Sequence, residues 1–457
     1  MIKEDFRKYL VEAIGEERAL VAFDAFDKPA TVSVRLNPFK LCNEPEGGRA
    51  VAWSRHGRVL DERPVFTLDP CFHAGAYYVQ DSSSMFVGHL VREMLAGISL
   101  PEHRPVRVLD LCAAPGGKST DLAASLREIF GDRFLLVANE VMKQRAGVLA
   151  QNIALWGDPN VVVTSDDPSA FAALSGFFDV IVADVPCSGE GMFRKDEDAQ
   201  NQWSEDNVAL CSARQRRIMA DVWPSLREQG LFVYSTCTFN VHENDGNASW
   251  VADNLGARSL AADETPEGVI RTKCGYSLVP GFVEGEGQYC AAMLKEVASM
   301  PESAAVCPKR RKAAPSGSAG IPSGLDRLFS AGMVFRRRGE TIVAIPETIA
   351  EELTALEDNL HLIAAGCAVG VMKGRDLVPD ADLALSLALA DGAFPSVDVD
   401  RETALAYLHR DNVSFPEAEK GYLLVRYMGL PLGFVKNLGN RCNSLHPLNR
   451  RIRMDIK

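Results

Sequence analysis

From Val106 onward the chain repeats one pattern: a short apolar run, a turn, then a helical stretch. Residues 106–111 (VRVLDL), 134–140 (FLLVANE), 160–164 (NVVVT), 178–185 (FDVIVADV) and 230–236 (GLFVYST) are predicted strands. Helices are predicted over 119–130, 143–156 and roughly 207–227, and residues 288–297 (QYCAAMLKEV) add a last strand. Strands that read as continuous apolar runs are buried on both faces, and parallel neighbours need a crossover of helical length. The alternation therefore restricts this part of the chain to an α/β fold with a largely parallel sheet covered on both sides.

Open sheets of this kind bind ligands beyond the carboxyl ends of their strands, and the sequence places its most unusual residues there. Residues 110–120 (DLCAAPGGKST) follow the first strand and open a helix. Gly116 and Gly117 let the backbone approach a ligand at which the helix N-terminus aims its N–H groups. The glycine spacing is not that of a phosphate-binding Walker A loop. Glu140, ending the second strand, stands where an acid accepts hydrogen bonds from two ribose hydroxyls. Cys187 lies in DVPCSGEG (184–191) after the fourth strand, and Cys237 in STCTFN (235–240) after the fifth. Far apart in sequence, they are expected to be spatial neighbours on the edge that carries the glycine turn. A free cysteine is more often a small buried hydrophobe than a catalyst. Strand-end loops rich in N–H donors, however, can favour a thiolate. His242 is expected on the following helix rather than paired with a thiol.

D-L-C-A-A-P-G-G-K, D-x-P-C-S-G-E-G and S-T-C-T resemble the hallmark motifs of the Sun/Nol-type RNA (cytosine-5) methyltransferases. The likeness extends to Arg35-Leu36-Asn37-Pro38, to residues 75–81 (GAYYVQD), to Arg145, Asn152 and Gly157, and to Trp203. The tail GYLLVRYMGLPLGFVKNLGNRCNSLHPLNRRIR is similar to the PUA-like region of the bacterial small-subunit ribosomal RNA methyltransferase F group. The resemblance implies a Rossmann-like class I methyltransferase domain that uses S-adenosylmethionine. In it, Cys112, Ala113, Ala114, Pro115, Gly116, Gly117 and Lys118 would wrap the methionine and ribose part of the cofactor, and Glu140 would take the ribose hydroxyls. Asp167, or its neighbour Asp166, would bond the adenine, and Asp184 would close the cofactor site and contact the cytosine's polar edge. The chemistry gives both thiols a use. Carbon 5 of cytosine is too weak a nucleophile until a thiolate, Cys237, adds to carbon 6. Cys187 would then serve the release step in which the carbon-5 proton leaves.

The implied layout is an N-terminal RNA-binding α/β region (1–100), the methyltransferase domain (101–297), a Pro-rich linker (298–324), a middle domain (325–390) with an apolar helix near 382–389, and a PUA-like RNA-binding domain (391–457). Within the first of these, residues 31–38 (TVSVRLNP) alternate like a strand. The 457 residues carry a net charge of −12, so RNA binding would rest on local basic patches. Residues 426–457 hold seven Lys and Arg against the single acid Asp455, interleaved with Tyr427, Phe434, Asn440, Asn443 and His446 as candidates for stacking or hydrogen bonding. Two shorter clusters are Lys309–Lys312 and Arg336–Arg338, which solvation alone could equally explain. Eleven cysteines without a C-x-x-C pair argue against a disulfide scaffold or a zinc site and for a reducing, cytoplasmic setting. Neither a membrane span nor a bound metal is expected. Competing readings are a methyltransferase of protein or small molecules, a transfer RNA enzyme, and a non-catalytic assembly factor. The first leaves the cysteine pair without a purpose, and the last is at odds with two intact cysteine motifs.

Overall fold

The computed structural model describes residues 3–41, 47–297 and 321–456. Most of the expected linker and the Lys309–Lys312 cluster lie outside the described residues. The centre of the molecule is a mixed sheet of ten strands. Its parallel part runs in the spatial order Val161–Thr164, Phe134–Asn139, Val106–Asp110, Phe178–Asp184, Leu226–Thr236. Gln288–Lys295 joins antiparallel beside Leu226–Thr236. The order reverses on either side of Val106–Asp110, which leaves a crevice at the carboxyl ends of the strands. Every residue of Phe134–Asn139 is buried, as the uninterrupted apolar run requires. Two cores cover the two faces: one around Leu122, Leu149 and Met94, the other around Ile181, Phe232 and Val251.

The flanking regions pack closely against this sheet. Two helices, Glu4–Ile14 and Glu16–Phe26, precede the predicted N-terminal strand; the sequence reading did not assign them, although Phe6, Leu10 and Ile14, buried in the first, recur at helical spacing. They pack Phe6 against Phe193 and Trp203, at ring distances of 4.9 and 5.8 Å. A four-stranded antiparallel sheet follows, built from Val32–Leu36, Arg49–Val51, Ser54–Leu60 and Tyr77–Val79. The helix Phe86–Leu95, on the N-terminal side of the expected boundary, packs into the core of the central sheet.

The region 325–390 is likewise not self-contained. It has its own antiparallel sheet (Met333–Arg338, Thr341–Pro346, Cys367–Lys373, Asp376–Pro379), but Leu362–Ala365 adds a strand to the central sheet beside Val161–Thr164. Its apolar helix is shorter than expected, Ala381–Leu385. The chain leaves it so that the Leu387 N–H can donate to the Gly157 carbonyl, 2.9 Å away, a tertiary bond that outweighs local propensity. The last sheet pairs Ser396–Val399, Gly421–Tyr427, Leu430–Asn437 and Cys442–Ser444. Its core is shared with the N-terminal sheet: Val34, Leu60 and Tyr77 pack with Leu405, Leu423 and Val435.

Candidate active site

Four strand ends meet at one edge, and a single buried side chain organises three of them. Asn139 donates to the Leu111 carbonyl at 3.1 Å and the Asp166 carbonyl at 3.0 Å, and accepts from Thr164 Oγ1 and the Asp166 N–H. The sequence reading passed over it, although its place just before Glu140 was the available signal. The glycine turn is held from outside by the helix Lys143–Trp156, where Arg145 donates to the Ala114 carbonyl and Asn152 to the Pro115 carbonyl, each at 2.8 Å. Gly116 has φ +116°, a backbone conformation that favours glycine. From below, the Arg35 guanidinium, 1% exposed, donates to the Gly117 carbonyl at 3.1 Å and stacks on Trp156.

The acids expected to bind cofactor sit at these strand ends, each with a partner. Glu140 accepts from the Met142 N–H at 2.9 Å and pairs with Arg145 at 3.2 Å, leaving lone pairs on both oxygens. Asp167 caps the turn Pro168–Leu174 through Ser169, and those hydrogen bonds hold its carboxyl below the ordinary range. Asp166 instead accepts from the His361 N–H at 2.6 Å, an amide of the C-terminal half. Asp167 is therefore the acid of the two that is exposed at this edge. Asp110, buried at the end of the first strand, accepts from Ser119 at 2.6 Å and is pushed up to about 7, mainly by burial. Burial likewise raises the Cys112 thiol.

Cys187 and Cys237 meet with their sulfurs 3.2 Å apart. Beside them Asp184 accepts from Ser235 at 2.6 Å and Gln288 at 3.1 Å, and pairs with Lys118 at 2.9 Å. Burial opposes charge on Lys118, but Asp184, with Cys237 and Asp110 nearby, raises its ammonium above the usual range. Cys187 is raised well above an ordinary thiol, first by its hydrogen bond to Cys237, then by burial and by the charge Cys237 can carry. Cys187 is therefore held in its protonated form. His242 lies in the turn before the helix Asp245–Leu255, not on it, and faces Glu12 at 3.9 Å.

The basic tail is only partly available to a ligand. Phe434 and His446, expected as RNA contacts, are core residues, 0% and 5% exposed. Phe434 lies edge-on to Phe394, and burial pushes His446 down to about 4. An alternating strand sequence does not tell which of its aromatic side chains point inward. Arg450 pairs with Asp382 and Arg336 with Glu357, each at 2.7 Å, so these cations serve the fold. Arg441, Arg451, Arg453, Asn440 and Asn443 remain exposed. Among the described residues no group of His, Cys, Asp and Glu could hold a metal ion, and no helix is long and apolar enough to cross a membrane.

Comparisons with known proteins identify the family. A family model described as 16S rRNA methyltransferase RsmB/F matches residues 98–294. The N-terminal domain of 16S rRNA methyltransferase RsmF matches 2–82, and the methyltransferase RsmF PUA domain matches 394–452. Ribosomal RNA small subunit methyltransferase F of Salmonella newport (strain SL254) is 30% identical over 468 residues, covering 93% of this chain and 92% of that protein. The protein of that name from Enterobacter sp. (strain 638) is 28% identical over 484 residues, covering 97% and 95%. Among solved structures, a methyltransferase homolog protein from Pyrococcus horikoshii shares the fold at 24% identity and a TM-score of 0.53, over 64% of this chain and 95% of that one. NSun6 from Pyrococcus horikoshii with SFG does so at 18% identity and a TM-score of 0.53, over 65% and 99%. The chain therefore belongs to the 16S rRNA methyltransferase RsmB/F family and is an S-adenosylmethionine-dependent methyltransferase.

Proposed function

We propose that the protein methylates carbon 5 of a cytosine in small-subunit (16S) ribosomal RNA through a transient bond between Cys237 and the base. The observation that carries this reading is the meeting of two thiols, 3.2 Å apart, beside the Asp184–Lys118 pair and on the same edge as the glycine turn. A methyltransferase acting on an already nucleophilic atom has no use for the second sulfur.

S-adenosylmethionine, when bound, supplies an electrophilic methyl group. The residues present suit it: the turn Cys112–Lys118, Glu140 with lone pairs to spare, exposed Asp167 and, closing the site, Asp184. The Cys237 thiolate, with the Lys118 ammonium nearby and Cys187 as hydrogen-bond donor, adds to carbon 6 of the base. The electron pair moves into the ring, and Asp184 and Lys118 steady the charge at its polar edge. Carbon 5 then becomes nucleophilic enough to take the methyl group. Once Cys237 is bonded to carbon, its hydrogen bond to Cys187 and the charge it can carry no longer raise the Cys187 thiol, while burial still opposes ionisation. Cys187 can now lose its proton to solvent and accept the one on carbon 5. The Cys237–carbon bond breaks with its electron pair returning to sulfur, which restores the thiolate. The base must leave its stack to reach this edge, which favours a loop or melted segment.

Bisulfite mapping of ribosomal RNA from cells with and without the gene tests the reaction. One small-subunit cytosine should lose its 5-methyl group in the deletion strain, and Cys237→Ser should fail to restore it. Full restoration by Cys237→Ser would overturn the mechanism; methylation lost from transfer RNA instead would overturn the substrate.

A further inference from the structure

The thiol pair sits on two loops, and a loop by itself does not hold two sulfurs 3.2 Å apart. What joins these loops is a buried carboxylate, Glu190, three residues after Cys187 and 0% exposed. Its Oε2 accepts from the Phe239 and Asn240 backbone N–H groups at 2.7 and 3.1 Å, on the loop that follows Cys237. Its Oε1 accepts from Trp203 Nε1 at 2.8 Å and from Asn240 Nδ2 at 2.9 Å. Asn240 Nδ2 also donates to the second buried acid, Glu243, at 2.8 Å, and Glu243 accepts from the Ser188 N–H, next to Cys187, at 3.0 Å. The Gly191 N–H donates to the Cys237 carbonyl at 2.8 Å, and a Cβ on Gly191 would stand only 2.9 Å from that oxygen. The backbones of the two thiol loops are thus in direct contact.

We infer that Glu190 is a positioning residue that sets the separation of Cys187 from Cys237 and so governs release of the methylated base. This rests on the covalent reading of the two thiols and specifies what keeps them in register. The four close donors facing Glu190 require a group that only accepts. An amide in its place must turn N–H against N–H on one side: against the Phe239 and Asn240 backbone, or against Trp203 and Asn240. A buried donor left without an acceptor is costly, so one side of the clamp opens. Cys237, joined directly to the end of its strand, stays in place and can still reach a base. Cys187, on the other loop, drifts from the carbon-5 proton.

The test is Glu190→Gln, compared with wild type, Cys187→Ala and Glu190→Asp, in full-length protein. Small-subunit RNA and subunits from a strain lacking the gene are supplied with tritiated S-adenosylmethionine. Methyl incorporation and SDS-resistant protein–RNA product are read together. Glu190→Gln should complete a first turnover but lose multiple turnover at least tenfold. SDS-resistant product should accumulate as in Cys187→Ala, with affinity for S-adenosylmethionine within twofold of wild type. Glu190→Asp, which keeps an acceptor-only group, should recover part of the turnover. Normal multiple turnover in Glu190→Gln would overturn the inference, as would lower incorporation in proportion to folded protein with no trapped product. Absence of any trapped product in Cys187→Ala would instead indict the covalent reading itself.

Discussion

The thiol loops and the basic C-terminal stretch are both crowded with polar side chains, and they use them in opposite ways. Around the thiols the polar groups are buried and paired with one another; Glu190, Asn240 and Glu243 are each 0% exposed. In the C-terminal stretch the cations that the fold leaves over, Arg441, Arg451 and Arg453, face solvent. Buried, mutually satisfied networks fix positions to fractions of an ångström. Exposed cations fix nothing but attract phosphate at long range, in a way that salt erases. Damage to the first should change rates, and damage to the second should change affinity.

The sharpest way to break that contrast is Cys237→Ala, which should lower single-turnover methylation by about 10⁴-fold or more. RNA affinity in a filter-binding assay should stay near wild type. Next comes Asp184→Asn, which places an amide among the Lys118, Ser235 and Gln288 donors. Its single-turnover rate should fall by about 10²–10³-fold. The triple change Arg441→Ala, Arg451→Ala, Arg453→Ala should leave the saturated rate unchanged. It should flatten the plot of log affinity against log salt by about 2 units on single-stranded RNA. An unchanged slope would mean that the exposed cations are decoration. Removing residues 391–457 outright would be a poor substitute, because those residues share a core with the N-terminal sheet.

The smallest effect concerns stability, and here the two regions should answer pH in opposite directions. Asp110 has a folded pKa of about 7, above its ordinary 3.8, so its neutral form is favoured in the fold. Its contribution is complete below pH 3.8 and is lost as pH rises through about 7. His446, at about 4 against an ordinary 6.5, contributes fully above 6.5 and loses that contribution as pH falls through about 4. The Asp110 window spans about 4 kcal/mol and the His446 window about 3 kcal/mol. In denaturant titrations Asp110→Asn should gain on wild type from pH 4 to pH 8. The stability lost below pH 6 should be reduced in His446→Gln.

What the sequence disclosed follows the same contrast. Strands such as Phe134–Asn139 announce themselves because burial on both faces leaves no room for polar residues. The two cysteines could be placed on one edge because each follows a strand directly in the chain. Nothing local marks Leu362–Ala365 as the partner of Val161–Thr164, since its pairing is decided nearly 200 residues away. Glu190 and Trp203 were both in view as letters of a motif. Their hydrogen bond, and the Asn240 amide that spans two carboxylates, exist only in the folded network. The tail misled for the inverse reason. Its composition is basic, but composition does not say that the fold has already spent Arg450 on Asp382.

Because Leu362–Ala365 occupies the border next to Val161–Thr164, the carboxyl-terminal half is a structural lid on the catalytic half's raw flank. A fragment stopping at residue 297 would expose a bare ladder of amides and carbonyls, the kind of template on which chains stick together. Protease scission between residues 297 and 321 would instead leave both pieces zipped along that seam. They should elute as one species from a sizing column and separate only in denaturant.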